Sequence, residues 1–253
     1  MTIRHDESVQ RLGPGRAVIL HGSGSDSTFV RAAFKAPLAS LGLRLVAPDD
    51  RTGDPVAMAD ELARIMTRYP DVRVVGGVSV GAHAVARWAA RDPRARGLAG
   101  LLFVLPAWTG RPDRTAAMTK ASARALAREG VHTELLRIGF DDTLANDWVV
   151  AELRRAWPRQ ADTLPDSLLR TASSRGPYIS ELARISAPAG IVMLADDPLH
   201  PTAVAQQWQR ALPNSTGECL NRHAPAADRS VIGAAAVSAL ARARARQLRT
   251  TQL

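Results

Sequence analysis

The chain reads as a series of short apolar runs. Each is closed by small or polar residues and followed by a stretch of helical spacing. The first clear run, AVIL at 17–20, breaks into HGSGSD. That pattern predicts a buried strand and a tight loop. Residues 27–42 then read as a helix ending near Gly42, and 43–47 as a second strand before the turn RTGD. In DPVAMADELARIMTRYP, Val56, Met58, Leu62, Ile65 and Met66 recur at helical spacing, with Asp54 placed to cap the helix before Pro55. VRVVGGVS begins a third strand at 72–75, GAHAVARWAARDP is the helix after it, and LAGLLFVLPAW is a fourth buried strand ending at Pro106. This alternation predicts a parallel sheet with right-handed crossovers.

The alternation then stops. From 107 to 181 the pattern is helical, with no convincing buried strand. DRTAAMTKASARALAREG is a helix closed by Gly130, DDTLANDWVVAELRRAW a second and PDSLLRTAS a third. Alternation resumes at AGIVMLADDPLHP, a strand with its loop. A helix over 203–212, a short strand over 216–221 and a last helix over 228–249 follow. The chain is therefore expected to form one α/β core from 1–106 and 182–253, interrupted by a helical insertion at 107–181.

Composition supports a packed protein. Of 253 residues, 46% are hydrophobic, enough for a full-sized core and against a disordered chain. The net charge of +9 raises the question of nucleic acid. The basic residues are scattered, however. The densest run, ARARARQLR at 241–249, distributes Arg242, Arg244, Arg246 and Arg249 around a helix. No nucleic-acid motif accompanies it, so no nucleic-acid partner is expected. Cys219 is the only cysteine, which excludes an intrachain disulfide and CxxC zinc spacing. The N-terminal segment, which includes His5, is polar, and no run of about 18 apolar residues occurs. A cytoplasmic protein with no membrane span, metal or cofactor is expected.

The candidate chemistry centres on Gly77-Val78-Ser79-Val80-Gly81. A G-x-S-x-G stretch alone says little. Here a buried strand leads in and an alanine-rich helix leads out, as a nucleophile elbow requires. Gly77 and Gly81 would relieve crowding around a strained serine. A serine hydroxyl also needs a base. His83 lies one helical turn beyond Ser79, His21 in the HG loop and His132 after a helix terminator. His223, in LNRHAP between the last strand and last helix, is favoured over His200 in DDPLHP. Asp197 is favoured over Asp196 as the acid that would orient the imidazole, with the other serving a turn before Pro198. The backbone amides of Ser23 and Val80 would form an oxyanion hole, with Gly22 permitting close approach. HGSGSDS lacks the third glycine of G-x-G-x-x-G and the Lys-Ser/Thr end of a phosphate loop, which argues against a nucleotide site.

HG at 21–22, GVSVG at 77–81, DPLHP at 197–201 and His223 together resemble the α/β-hydrolase superfamily. The resemblance covers about residues 14–106 and 182–250. It implies a doubly wound, mostly parallel sheet with the site at the strands' carboxyl ends and the helical insertion as a cap. It also implies the order Ser79, Asp197, His223. One departure is Arg222, where the family often has glycine before its histidine; this side chain is expected to point to solvent or to the cap. A serine at the elbow fits cleavage of an ester, thioester, lactone or carbon–carbon bond in a small acyl substrate. Trp108, Trp148, Trp157 and Phe140 are candidates to face that substrate. The competing expectation is a hydrolase-fold binding protein with a residual triad and negligible turnover.

Overall fold

The computed structural model describes residues 11–140 and 147–251; His5 lies outside them. Six strands form a single sheet: β1 (Gly15–Leu20), β2 (Leu43–Val46), β3 (Val72–Val78), β4 (Gly100–Val104), β5 (Ala189–Leu194) and β6 (Ser215–Leu220). Their order is β2-β1-β3-β4-β5-β6, and every neighbouring pair is parallel. The helices between them are α1 (Ser27–Ser40), α2 (Pro55–Arg68), α3 (Val80–Ala89), α8 (Thr202–Ala211) and α9 (Ser230–Thr251). Between β4 and β5 lie only helices: α4 (Arg114–Gly139), α5 (Trp148–Ala156), α6 (Leu164–Ser173) and the short α7 (Ile179–Leu182), with 3-10 turns.

Two apolar cores cover the two faces of the sheet. On one, Met58 and Leu62 of α2, Val85 and Trp88 of α3 and Trp208 of α8 pack with Val75, Phe103 and Ile191. On the other, Phe29 and Phe34 of α1 and Ile232 and Leu240 of α9 pack with Ile19, Val74 and Val192. Strands covered on both sides must be apolar along their whole length, which is why β4 and β5 read as continuous runs. The helical segment has its own smaller cluster, including Leu126, Leu135, Trp157, Leu164 and Leu168.

Local chemistry sets most boundaries where the sequence predicts them. Asp54 accepts from the Val56 amide with Pro55 in the first turn, and Asp26 caps α1 by accepting from the Thr28 and Phe29 amides. β3 runs to Val78, three residues beyond the expected strand, and one helix end differs in kind. Gly130, expected to close a helix, kinks α4 at φ +81°, and the chain resumes helical geometry to Gly139. The left-handed backbone that glycine permits breaks the hydrogen-bond ladder without forcing a loop.

The chain crosses to β2 on one side of β1 and to β3 on the other. Strand order therefore reverses at β1, and the carboxyl ends of β1 and β3 open a crevice between them. Leu20 stands opposite Gly77, so His21 and Ser79 emerge side by side at this crevice.

Candidate active site

β3 ends at Val78 and α3 starts at Val80, leaving Ser79 alone at the turn. Its backbone is at φ +54°, ψ −118°, a conformation costly for a residue with a side chain. Close packing makes both flanking glycines necessary. A Cβ on Gly77 would come 2.2 Å from the Gly81 carbonyl carbon, and one on Gly81 would come 2.6 Å from the His21 carbonyl oxygen. Gly22 lies against the serine itself, since a Cβ there would be 3.1 Å from the Ser79 Cβ. Val80 provides the first amide of α3, and neither its N–H nor that of Ser23 donates to another backbone carbonyl among the described residues. The helix end adds favourable potential for an anion above Ser79.

The histidine that meets Ser79 is His200. Its Nε2 lies 3.0 Å from the Ser79 Oγ, and its Nδ1 lies 3.0 Å from one carboxylate oxygen of Asp197. The other Asp197 oxygen accepts from the backbone amides of Leu199 and His200 at 2.8 and 3.2 Å. Burial alone would raise this carboxyl. The His200 imidazole and the two amides outweigh it and bring Asp197 down to about 2. An ionised carboxylate can only accept, so Nδ1 carries the proton and Nε2 is left to accept from the serine hydroxyl.

The expectation for His223 is corrected by this geometry. His223 is exposed, and its backbone amide donates to the Asn221 side chain at 2.9 Å before a 3-10 turn. Its loop is pulled towards the helical segment. Arg222 donates through Nε to Asp147 at 2.6 Å and through Nη1 to the Asp196 carbonyl at 3.1 Å, while the Trp148 indole N–H donates to the Arg222 carbonyl at 2.9 Å. Arg222 thus points to the helical segment, one of the two directions expected of it. Asp196 contributes this carbonyl and a left-handed turn residue at φ +56°, and its carboxylate is not the one on the histidine.

The signal for His200 was present in DPLH. An aspartate that accepts from the amides two and three residues on folds the chain back over its own carboxylate, bringing the side chain at the third position to that carboxylate. His83, by contrast, is buried, and burial followed by the proximity of His200 and Arg87 holds it down at about 3. Its Nε2 accepts from the Ala107 and Trp108 amides at 3.3 and 3.4 Å, just beyond β4.

The proposed substrate-facing residues fare differently. Beside the serine loop only a narrow gap with no room for a water molecule separates His21, Ser23 and Val80 on the core side from Gln160 and Ser167 on the helical side. None of Trp108, Trp148 and Phe140 borders it. Phe140 is 80% exposed, so it faces water. Trp108 is buried edge-on to His83, and Trp148 is buried, stacked on Phe29 with the Arg229 guanidinium over its ring. These rings pack the segment on to the core. Among the described residues no group of three or more His, Cys, Asp or Glu side chains is arranged to hold a metal ion. No helix among them is long and apolar enough to cross a membrane.

No family model matches the sequence, and the search of curated proteins found no similar one. Solved structures are similar in fold. An esterase from Thermogutta terrifontis is 22% identical with a TM-score of 0.65, over 94% of this chain and 91% of that one. A bromoperoxidase from Bacillus anthracis is 17% identical with a TM-score of 0.70, over 91% and 93%. An enol-lactonase from Burkholderia xenovorans is 17% identical with a TM-score of 0.63, over 96% and 92%. The protein has the α/β-hydrolase fold.

Proposed function

We propose that the protein is a serine hydrolase that cleaves a small carboxylic ester or thioester through an acyl-enzyme on Ser79. The observation that carries this reading is the unbroken hydrogen-bond series from Asp197 through His200 to Ser79. A strained elbow, a base within reach and an acid that fixes the base's tautomer are what activation of a serine requires. Structural neighbours named esterase and enol-lactonase support the same chemistry.

The Ser79 oxygen attacks the substrate carbonyl as its proton passes to Nε2 of His200. Asp197 stabilises the imidazolium. Negative charge moves to the carbonyl oxygen, where the amides of Ser23 and Val80 receive it. Each such donor is worth about 3–4 kcal/mol in the transition state. His200 returns the proton to the departing alcohol or thiol, leaving the acyl group on Ser79. Water then attacks, giving a proton to His200, and collapse releases the carboxylic acid and restores the serine. The helices between β4 and β5 act as a cap over this site.

Labelling with a fluorophosphonate tests the reading. The expected result is one adduct on Ser79, with Ser79→Ala abolishing it and lowering turnover of a general ester by a factor on the order of 10⁴–10⁶. Absence of labelling in folded protein, or full turnover by the variant, overturns it. Ligand-induced stabilisation without turnover would identify a binding protein instead.

A further inference from the structure

The cap grips one loop of the core at three neighbouring points. Arg155, near the end of α5, donates from Nη1 and Nη2 to the two carboxylate oxygens of Asp26 at 2.6 and 2.8 Å. The Gln160 side-chain amide donates to the Ser25 carbonyl at 3.0 Å. The Trp157 indole nitrogen covers Gly24 so closely that a Cβ there would lie 2.8 Å from it. The gripped residues, Gly24 to Asp26, continue directly from Gly22, which packs on Ser79, and Ser23, whose amide is the proposed oxyanion donor.

Few bonds inside this loop fix its shape, the Gly22 carbonyl lying 2.8 Å from Nδ1 of the adjacent His21. Its described backbone bond is from the Ser25 amide to the Gly22 carbonyl, and Gly24 sits at φ +71°. The firm point is Asp26, which divides one carboxylate between the α1 amides and Arg155. Arg155 is itself held by Glu152, which also pairs with Arg229 just before α9. The core therefore holds the loop's two ends, while its middle, Gly24 to Asp26, is placed from outside by side chains of the cap.

We propose that Arg155 is a positioning residue for the hydrolysis: through Asp26 it holds the loop where the Ser23 amide faces the developing oxyanion, so seating the cap and assembling the oxyanion hole are one event. This rests on the reading of Ser79 as nucleophile and Ser23 as donor. A displaced donor loses contact with the transition state more than with the ground state, because the charge it serves develops during reaction. The signature is a fall in kcat with KM nearly unchanged.

Asp26→Ser removes the partner of Arg155 while keeping a good helix N-cap, and Arg155→Gln removes the other half. Both variants and the double variant would be assayed on a small activated ester. A boronic acid would report affinity for a tetrahedral mimic, and melting temperature would report folding. Each single variant is expected to lower kcat about 10- to 100-fold, below or up to the loss of a whole donor. KM should stay within about 3-fold, boronate affinity should fall in step with kcat, and the double variant should be no worse than a single one. Arg155→Lys, which keeps the charge without the fork, should recover part of the rate. Wild-type kcat in the single variants, losses that multiply in the double variant, or a change confined to KM overturns the proposal. Fluorophosphonate labelling of the wild-type protein separates this failure from failure of the Ser79 reading.

Discussion

The loops after β5 and β6 both leave the carboxyl edge of the sheet, and both carry a histidine. In the first, Asp197 turns the chain back on itself, and His200 lies between its carboxylate and Ser79. In the second, the backbone is drawn outwards by Arg222 on Asp147 and Trp148 on the Arg222 carbonyl, and His223 is exposed. Position along the fold makes the two histidines comparable. What separates them is where their neighbours' hydrogen bonds go. A histidine's place after a strand says which edge of the sheet it reaches, and the charges beside it say which way it turns.

The largest effect expected from disturbing the inward loop comes from Asp197→Asn. The amide would remove the charge that stabilises imidazolium and would favour the wrong tautomer, at a cost on the order of 10³–10⁴ in kcat. Steady-state rates on a simple ester check this, and a change below tenfold would show that the loop's geometry is not used in catalysis.

A third histidine sharpens the contrast through stability. Burial chiefly holds the His83 imidazole down at about 3 in the folded protein, well below its ordinary value of 6.5. Above pH 6.5 it is neutral in both states. As pH falls below 6.5 the unfolded chain takes up a proton that the native state refuses, so stability falls until about pH 3. The slope from this residue is about 1.4 kcal/mol per pH unit. His83→Gln should remove that slope in urea titrations between pH 4 and 6.5. An unchanged slope would mean that the imidazole is not held neutral.

Much of the architecture was legible because it rests on local signals. Fully buried parallel strands must be apolar throughout, and Asp54-Pro55 and Gly77…Gly81 mark helix starts and a tight turn by their own chemistry. The tight turn at Ser79 and the place of Asp197 just after β5 belong to the same class of signal. The histidine that meets Ser79 did not, because a place after the last strand favours His223. The deciding contacts, Arg222 to Asp147 and Trp148 to the Arg222 carbonyl, join residues more than seventy positions apart. The roles of Trp148 and Phe140 were obscured for a similar reason. Aromatic residues in a helical insertion read alike whether they face a substrate, the core or water, and only packing tells them apart.

The most direct test of the account sets His200→Ala beside His223→Ala in one kinetic assay on the same ester, with both variants shown to be folded. His200→Ala should lose activity to the level of Ser79→Ala, while His223→Ala should keep kcat/KM within about twofold of wild type, as expected for an exposed side chain outside the hydrogen-bonded series. The reverse pattern, with His223→Ala inactive and His200→Ala active, would contradict the assignment of the base.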